Sequence, residues 1–243
     1  MSEAASKLLY RHRWGQARVC LMQADGEQRV VKNYARCGFP GIFLYGFWVP
    51  KREFHALSVL SSIDGFPEQP NKTGLFTVSY RFVGGRSLRD VDDHQTISPS
   101  FFPHLWRIVN RMHRSGFVHL DLGNRGNILV REDGEPAIID LASCTNTRYL
   151  PRFLVRWLQL RDKLGVLKFW YRYSPKTLPR DLRELYLNLY RKGLHTPSRF
   201  FRATRQCFHE GQSDQAKCVR VRRAWIALGV LGSLIAILGL AAR

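Results

Sequence analysis

Five side chains, far apart along the chain, are of the types that phosphoryl transfer requires. In FVHLDLGNRGNILV (117–130), Asp121 can accept or orient the proton of an acceptor hydroxyl. Asn127, with five residues between, offers an amide oxygen to a hard cation, and Asp140 in AIIDLA offers a carboxylate to the same ion. Lys32 in RVVKNY can reach the α- and β-phosphates of a nucleotide, and Glu53 in KREFHALSVL can pair with that lysine and fix it. The set implies ATP and Mg2+. Asn124 rivals Asn127 for the cation, and Arg125 is placed to face the transferred phosphate. Singly, each residue has a plainer reading: a solvated Lys or Glu, a turn aspartate at 140, a structural hydrogen bond from His119. Their shared order and local context give the set its meaning.

The elements that must position them follow from periodicity. Residues 17–34 predict two strands around Asp25-Gly26, with Lys32 near the end of the second. FPGIFLYGFWVP (39–50) is apolar, but Pro40, Gly41, Gly46 and Pro50 break it, and it is too short to cross a membrane. It could instead dip into a bilayer or cover the small lobe. A helix is expected after Pro50, with Phe54, Leu57, Val59 and Leu60 helically spaced, ending before Asp64-Gly65. GLFTVSYRFVGG (74–85) reads as a strand closed by a double glycine. A helix near 101–115 carries Leu105, Ile108, Val109 and Met112 on one face. ILV and AIID flank Asp133-Gly134 as a hairpin directly after the Asp121 loop. Gly123 and Gly126 are expected to let that loop absorb an extra residue. Beyond about 148 the pattern is helical and rich in Arg, Trp and Tyr.

On these residues the chain resembles the protein kinase-like superfamily over about 8–150. VVK looks like the strand carrying its lysine, HLD its catalytic loop, and IIDLA its metal-binding segment. The resemblance lies closer to the atypical branches: RIO-like kinases, aminoglycoside phosphotransferase-like enzymes and bacterial lipopolysaccharide core kinases. The usual spacing between Asp and Asn is four residues, and the longer loop here resembles that of bacterial RIO-like sequences. Leu120 replaces the Arg on which phosphorylated activation loops dock, and Leu141-Ala142 replace Phe-Gly. About eight residues separate Asp140 from helix-like sequence, too few for a long activation loop. The resemblance implies a non-protein or unregulated acceptor. It also implies an α+β two-lobe fold, with a β-rich lobe (1–85) and a mainly helical lobe (86–215). It assigns the nucleotide to Lys32, Tyr80, Phe82 and Gly15, the last being the single glycine of RHRWGQAR (11–18) where a glycine-rich loop would lie.

The 243 residues, 45% hydrophobic, can bury a substantial core. Net charge is +19, and residues 148–223 hold 19 Lys/Arg against 5 Asp/Glu. The basic excess therefore belongs to one region and to that region's partner. Five scattered cysteines, with no C-x-x-C, fit reduced thiols in a cytosolic compartment. The N-terminus lacks the apolar core of a cleavable signal. Residues 224–242, AWIALGVLGSLIAILGLAA, are free of charge, and at about 1.5 Å per residue would nearly span a bilayer core of roughly 30 Å. Arg220, Arg222 and Arg223 precede this expected transmembrane helix, placing the folded part in the cytoplasm, at a bacterial inner membrane. Gly229 and Ser233 permit helix pairing. RFLVRWLQLRDKLGVLKFWYRY (152–173) reads as amphipathic and interfacial, so an anionic bilayer is preferred over nucleic acid as partner of the basic region. The expectation is a membrane-tethered kinase acting on a membrane-associated hydroxyl, such as a lipopolysaccharide sugar. The alternatives are a RIO-like serine/threonine protein kinase and a non-catalytic scaffold.

Overall fold

In the computed structural model, the residues described are 6–10, 17–24, 26–35, 47–91 and 97–191. The N-terminal part is a five-stranded antiparallel sheet of order β1-β2-β3-β5-β4, formed by β1 (Ser6–Tyr10), β2 (Arg18–Ala24), β3 (Glu27–Asn33), β4 (Asn71–Lys72) and β5 (Thr77–Arg81). The expected hairpin of β2 and β3 turns at Gly26, whose φ of 78° is the left-handed geometry a tight turn needs. Strand β5 is only the middle of the apolar stretch 74–85. Its closing Gly85, at φ 134°, has no room for a side chain: a Cβ would stand 2.4 Å from the Val130 carbonyl oxygen.

Helix α1 (Phe47–Leu60) begins three residues before the expected Pro50 boundary. Pro50 is its fourth residue and so lies in the first turn, where proline is tolerated. Of the apolar stretch 39–50, residues 39–46 lie outside the described part. Trp48 is exposed and Val49 buried.

The helical part starts with β6 (Arg86–Ser87) and α2 (Phe101–Arg114), which buries the expected Leu105, Ile108, Val109 and Met112 together with Phe101 and Phe102. β7 (Phe117–Val118) precedes the Asp121 loop. β8 (Ile128–Val130) and β9 (Pro136–Ile138) form the expected hairpin, with β6 added to its edge, and β10 (Thr145–Asn146) pairs with β7. Eleven residues, 141–151, then lead to α3 (Arg152–Tyr173), slightly more than the sequence suggests. The core of this lobe is aromatic: Phe102 stacks on Trp170 at 6.1 Å and on Tyr173 at 6.4 Å. Full burial of each such side chain is worth about 1.5–3 kcal/mol.

Helix α3 corrects the expectation of a wholly interfacial amphipathic helix. From Asp162 onward one face of it buries Leu164, Val166, Leu167, Phe169 and Trp170, whereas its first turns bury no side chain fully. By contacts the chain divides into two compact units, Met1–Pro179 and Arg180–Arg243, a division that falls inside the expected helical lobe of 86–215. Of the second, helix α4 (Arg180–Arg191) is described. Among the described residues no helix is long and apolar enough to cross a membrane, and the 224–242 segment and the 215 boundary lie outside them.

Candidate active site

Strand alternation places the lysine. Val30, Lys32 and Tyr34 turn inward, while Val31 between them is half-buried and Asn33 exposed. Lys32 Nζ donates to Glu53 Oε1 at 2.6 Å and to Asp140 Oδ1 at 2.7 Å. Glu53, on α1, is fully buried, and its second oxygen accepts a hydrogen bond from the Tyr34 hydroxyl. Both oxygens are thus satisfied, the condition under which a buried carboxylate is tolerated. Tyr80, paired with Val30 across β3 and β5, sets its ring 5.9 Å from Lys32 Nζ.

The charges reinforce one another. Burial works against a charged Lys32, but Glu53 first, and Asp140 with it, hold the ammonium's pKa well above the ordinary lysine value. The Lys32 ammonium in turn holds the Asp140 carboxyl below the usual carboxylate range, against the opposing effect of burial. Burial pushes the Tyr34 phenol far up, and Tyr80 up to about 12, so both stay neutral. The Asp140 side chain is 48% exposed and remains open to a ligand.

The Asp121 loop is built differently. Asp121 is exposed, and its Oδ2 accepts from Asn127 Nδ2 at 2.8 Å and from Asn124 Nδ2 at 3.4 Å. Asn127 is buried and also donates to the Asp121 carbonyl at 3.0 Å. The extra residue is taken up by a 3-10 turn, Arg125–Asn127, capped by the Asn124 side chain on Gly126 N–H. Gly123 and Gly126 do not enter the left-handed region, so the freedom expected of them is unused. Leu120 enters it instead, at φ 67°, as does Asp140 at φ 63°. A non-glycine residue there costs about 1–3 kcal/mol and persists only where its surroundings hold it.

What holds Leu120 is Asp162 of α3. Its Oδ2 accepts from His119 N–H at 2.7 Å and lies 3.1 Å from His113 Nε2, while its Oδ1 accepts from Leu120 N–H at 2.8 Å. Three residues on, Gly165 brings α3 against the loop, and a Cβ there would stand 2.8 Å from the Leu122 carbonyl carbon. His119 is itself buried, its Nε2 3.2 Å from the Ile139 carbonyl oxygen. Sequence reasoning passed over Asp162 and Gly165. The available signal was that Asp162 is the one acid between Asp140 and Asp181. It also missed Tyr34, and Arg52, whose Nη2 donates to the Ala142 carbonyl at 2.6 Å and ties α1 to the Asp140 segment.

The remaining candidates are distributed as follows. Asp140 follows Ile139, whose N–H donates to the Asn127 carbonyl at 2.9 Å, so the two proposed cation ligands are held by neighbouring backbone. Among the described residues no three or more His, Cys, Asp or Glu side chains form a metal cluster. The oxygen set that is present, an ionised carboxylate and an amide oxygen, suits Mg2+ completed by phosphate and water. Arg125 is not brought to the other candidates: its Nη1 donates to the Tyr173 hydroxyl at 3.1 Å. Phe82 is half-buried just beyond β5, its N–H donating to the Gln28 carbonyl at 2.8 Å. Gly15 lies outside the described residues.

No family profile matches the sequence, and no curated protein matches it. Solved structures do match the fold. The crystal structure of the Rio2 kinase from Chaetomium thermophilum gives a TM-score of 0.54 at 18% identity, over 82% of this chain and 70% of that one. The Rio2 kinase-ADP/Mg2+-phosphoaspartate complex from the same organism gives 0.55 at 18% identity, over 82% and 68%. The chain therefore has the two-lobed protein kinase-like fold, similar to that of a RIO kinase.

Proposed function

We propose that this chain is an ATP- and Mg2+-dependent phosphotransferase acting on a hydroxyl of a membrane-associated acceptor, such as an envelope glycolipid sugar. In this reading it is tethered through residues 224–242 with its catalytic unit in the cytoplasm. The observation that carries the transferase reading is Lys32 Nζ held within 2.7 Å of both Glu53 and Asp140. The ADP- and Mg2+-bound state of the Rio2 neighbour supports the same ligands here.

Mg2+, when bound, would neutralise charge on the phosphates. The chain's own residues do the rest. Glu53 and Tyr34 fix the Lys32 ammonium, which is then presented to phosphate without a search among rotamers. Asp140 and Asn127 would hold the ion. Asn127 is better supported than Asn124, because Asn124 Oδ1 already accepts from Gly126 N–H at 3.1 Å and from Arg89 Nη2 at 2.9 Å, whereas Asn127 Oδ1 accepts from Asn124 Nδ2 at a longer 3.4 Å. Asp121, exposed and oriented by Asn127, accepts the acceptor's proton. Arg125 would have to leave Tyr173 to meet a phosphate, so a loop-bracing role fits it better. The short 141–151 connection supports an enzyme without a long activation segment.

The test is to incubate the purified chain with labelled ATP and a membrane extract, then separate lipid from protein. The expected result is Mg2+-dependent label in lipid, lost in Asp121→Asn. Label confined to protein would replace this reading with a serine/threonine protein kinase, and no Asp121-dependent label would leave a scaffold.

A further inference from the structure

Helix α3 changes character near Asp162. Beyond it one face of the helix is core; before it Arg152, Phe153, Arg156 and Trp157 are exposed, Phe153 to 63% and Trp157 to 45%. Tyr149, in the preceding turn, is 85% exposed, with the Arg148 guanidinium 5.8 Å from its ring centroid. Residues four apart share a helix face, so Arg152 and Arg156 form one edge of a continuous arc and Phe153 and Trp157 the other. Between Asp140 and Asp162 there are four arginines and no acid. Single exposed apolar side chains are ordinary; three large aromatics grouped beside a row of arginines mark an interaction surface.

We propose that the 148–157 face docks the catalytic unit on an anionic bilayer. The inference deepens the membrane-associated reading above and rests on it. Tyr and Trp favour the bilayer interface, where a ring can be buried while its polar edge stays wet. Arginines meet lipid phosphates, each raising partitioning roughly fivefold near an anionic surface. The same chain carries the uncharged 224–242 segment behind Arg220, Arg222 and Arg223. Nucleic acid would match the charge, but single-strand binding is built on a basic groove, whereas these exposed side chains stand on the first turns of one helix and the turn before it. Docking also has a consequence for the site. Gly165, which supports the Asp121 loop, lies eight residues beyond Trp157, about 12 Å along the same helix. A helix resting on lipid would thus hold the loop near an acceptor in the membrane.

The test uses the full chain in lipid nanodiscs with or without phosphatidylglycerol, some containing brominated phosphatidylcholine. Tryptophan emission is compared between wild type and Trp157→Phe, which isolates Trp157 among the six tryptophans. Brominated lipid should quench wild type more than Trp157→Phe, and only in anionic discs. Arg152→Glu/Arg156→Glu should lose the same quenched fraction. Equal quenching of wild type and Trp157→Phe would overturn the proposal. So would a Trp157 signal that responds to single-stranded RNA and not to lipid. Mg2+-ATP turnover, which neither variant touches, is read on the same discs and reports separately on the phosphotransferase reading.

Discussion

The lysine cluster and the Asp121 loop are held by opposite means. In the first, the reactive side chain is itself buried and charged: Lys32 sits between Glu53 and Asp140, with Tyr34 closing the far oxygen of Glu53. In the second, the reactive side chain is exposed, and the buried carboxylate beneath it, Asp162, binds backbone N–H groups. In the proposed reading, the nucleotide side would be set by compensated charge, and the acceptor side by backbone placement. Asp140 belongs to both, bonding Lys32 through its side chain while its neighbour Ile139 bonds the Asn127 carbonyl.

This contrast can be broken at its shared point first. Asp140→Ala should lower Mg2+-ATP turnover on the order of 10³-fold, as loss of a group that stabilises developing charge does; turnover within tenfold of wild type would mean the cluster is not catalytic. Asp162→Ala should cost about 3–5 kcal/mol in urea unfolding, since it breaks a buried charged network. Nucleotide affinity of the folded fraction should change little, because Asp162 bonds the loop and His113 of α2 and not the lysine cluster.

On the other side, Tyr34→Phe strips a donor from a buried carboxylate and should cost about 1.5–3 kcal/mol. That loss should raise KM for Mg2+-ATP and leave turnover at saturation largely intact. Gly165→Ala makes the converse case: overpacking of about 1–3 kcal/mol against the Leu122 backbone, seen as reduced turnover with KM for nucleotide unchanged. If Tyr34→Phe and Gly165→Ala gave the same kinetic pattern, the two regions would not be separable.

The smallest effect concerns pH. The Asp140 pKa is lowered in the fold, so its contribution to stability is present above its unfolded pKa and lost as pH falls through the lower folded value. The Lys32 pKa is raised, so its contribution is present below its unfolded pKa and lost as pH rises through the higher folded value. Between about pH 4 and 10, near the unperturbed values of the two groups, their joint contribution should be flat. Urea unfolding of wild type and Lys32→Met across that range should differ by a constant amount.

Much of the site was legible because its roles demand particular residue types on particular periodicities. Lys32 alternates inward with Val30, Glu53 lies on an identifiable helix, and Asp121, Asn127 and Asp140 bracket one hairpin. Contacts between distant segments were not legible: nothing near Tyr34 or Asp162 in sequence says which carboxylate or backbone amide each will meet. Conformation within the loop was misjudged for a related reason. Gly123 and Gly126 permit a left-handed backbone, but the demand for it fell on Leu120, where Asp162 could hold it. The Pro50 boundary failed because proline is tolerated in a first helical turn. The two halves of α3 share one composition of Arg and aromatics, and only packing against the Asp121 loop and α2 separates core from surface.

The central claim is that Lys32, Asp121 and Asp140 form a working phosphoryl-transfer site, and one measurement tests it most directly. Mg2+-dependent ATP turnover is compared among the purified wild type, Asp121→Asn and Asp140→Ala, with folding of each checked by urea unfolding. The account predicts turnover in wild type, abolished by chelating the metal and lost in both variants while they remain folded. Turnover equal in all three proteins, or none in folded wild type supplied with Mg2+ and membrane extract, would contradict it.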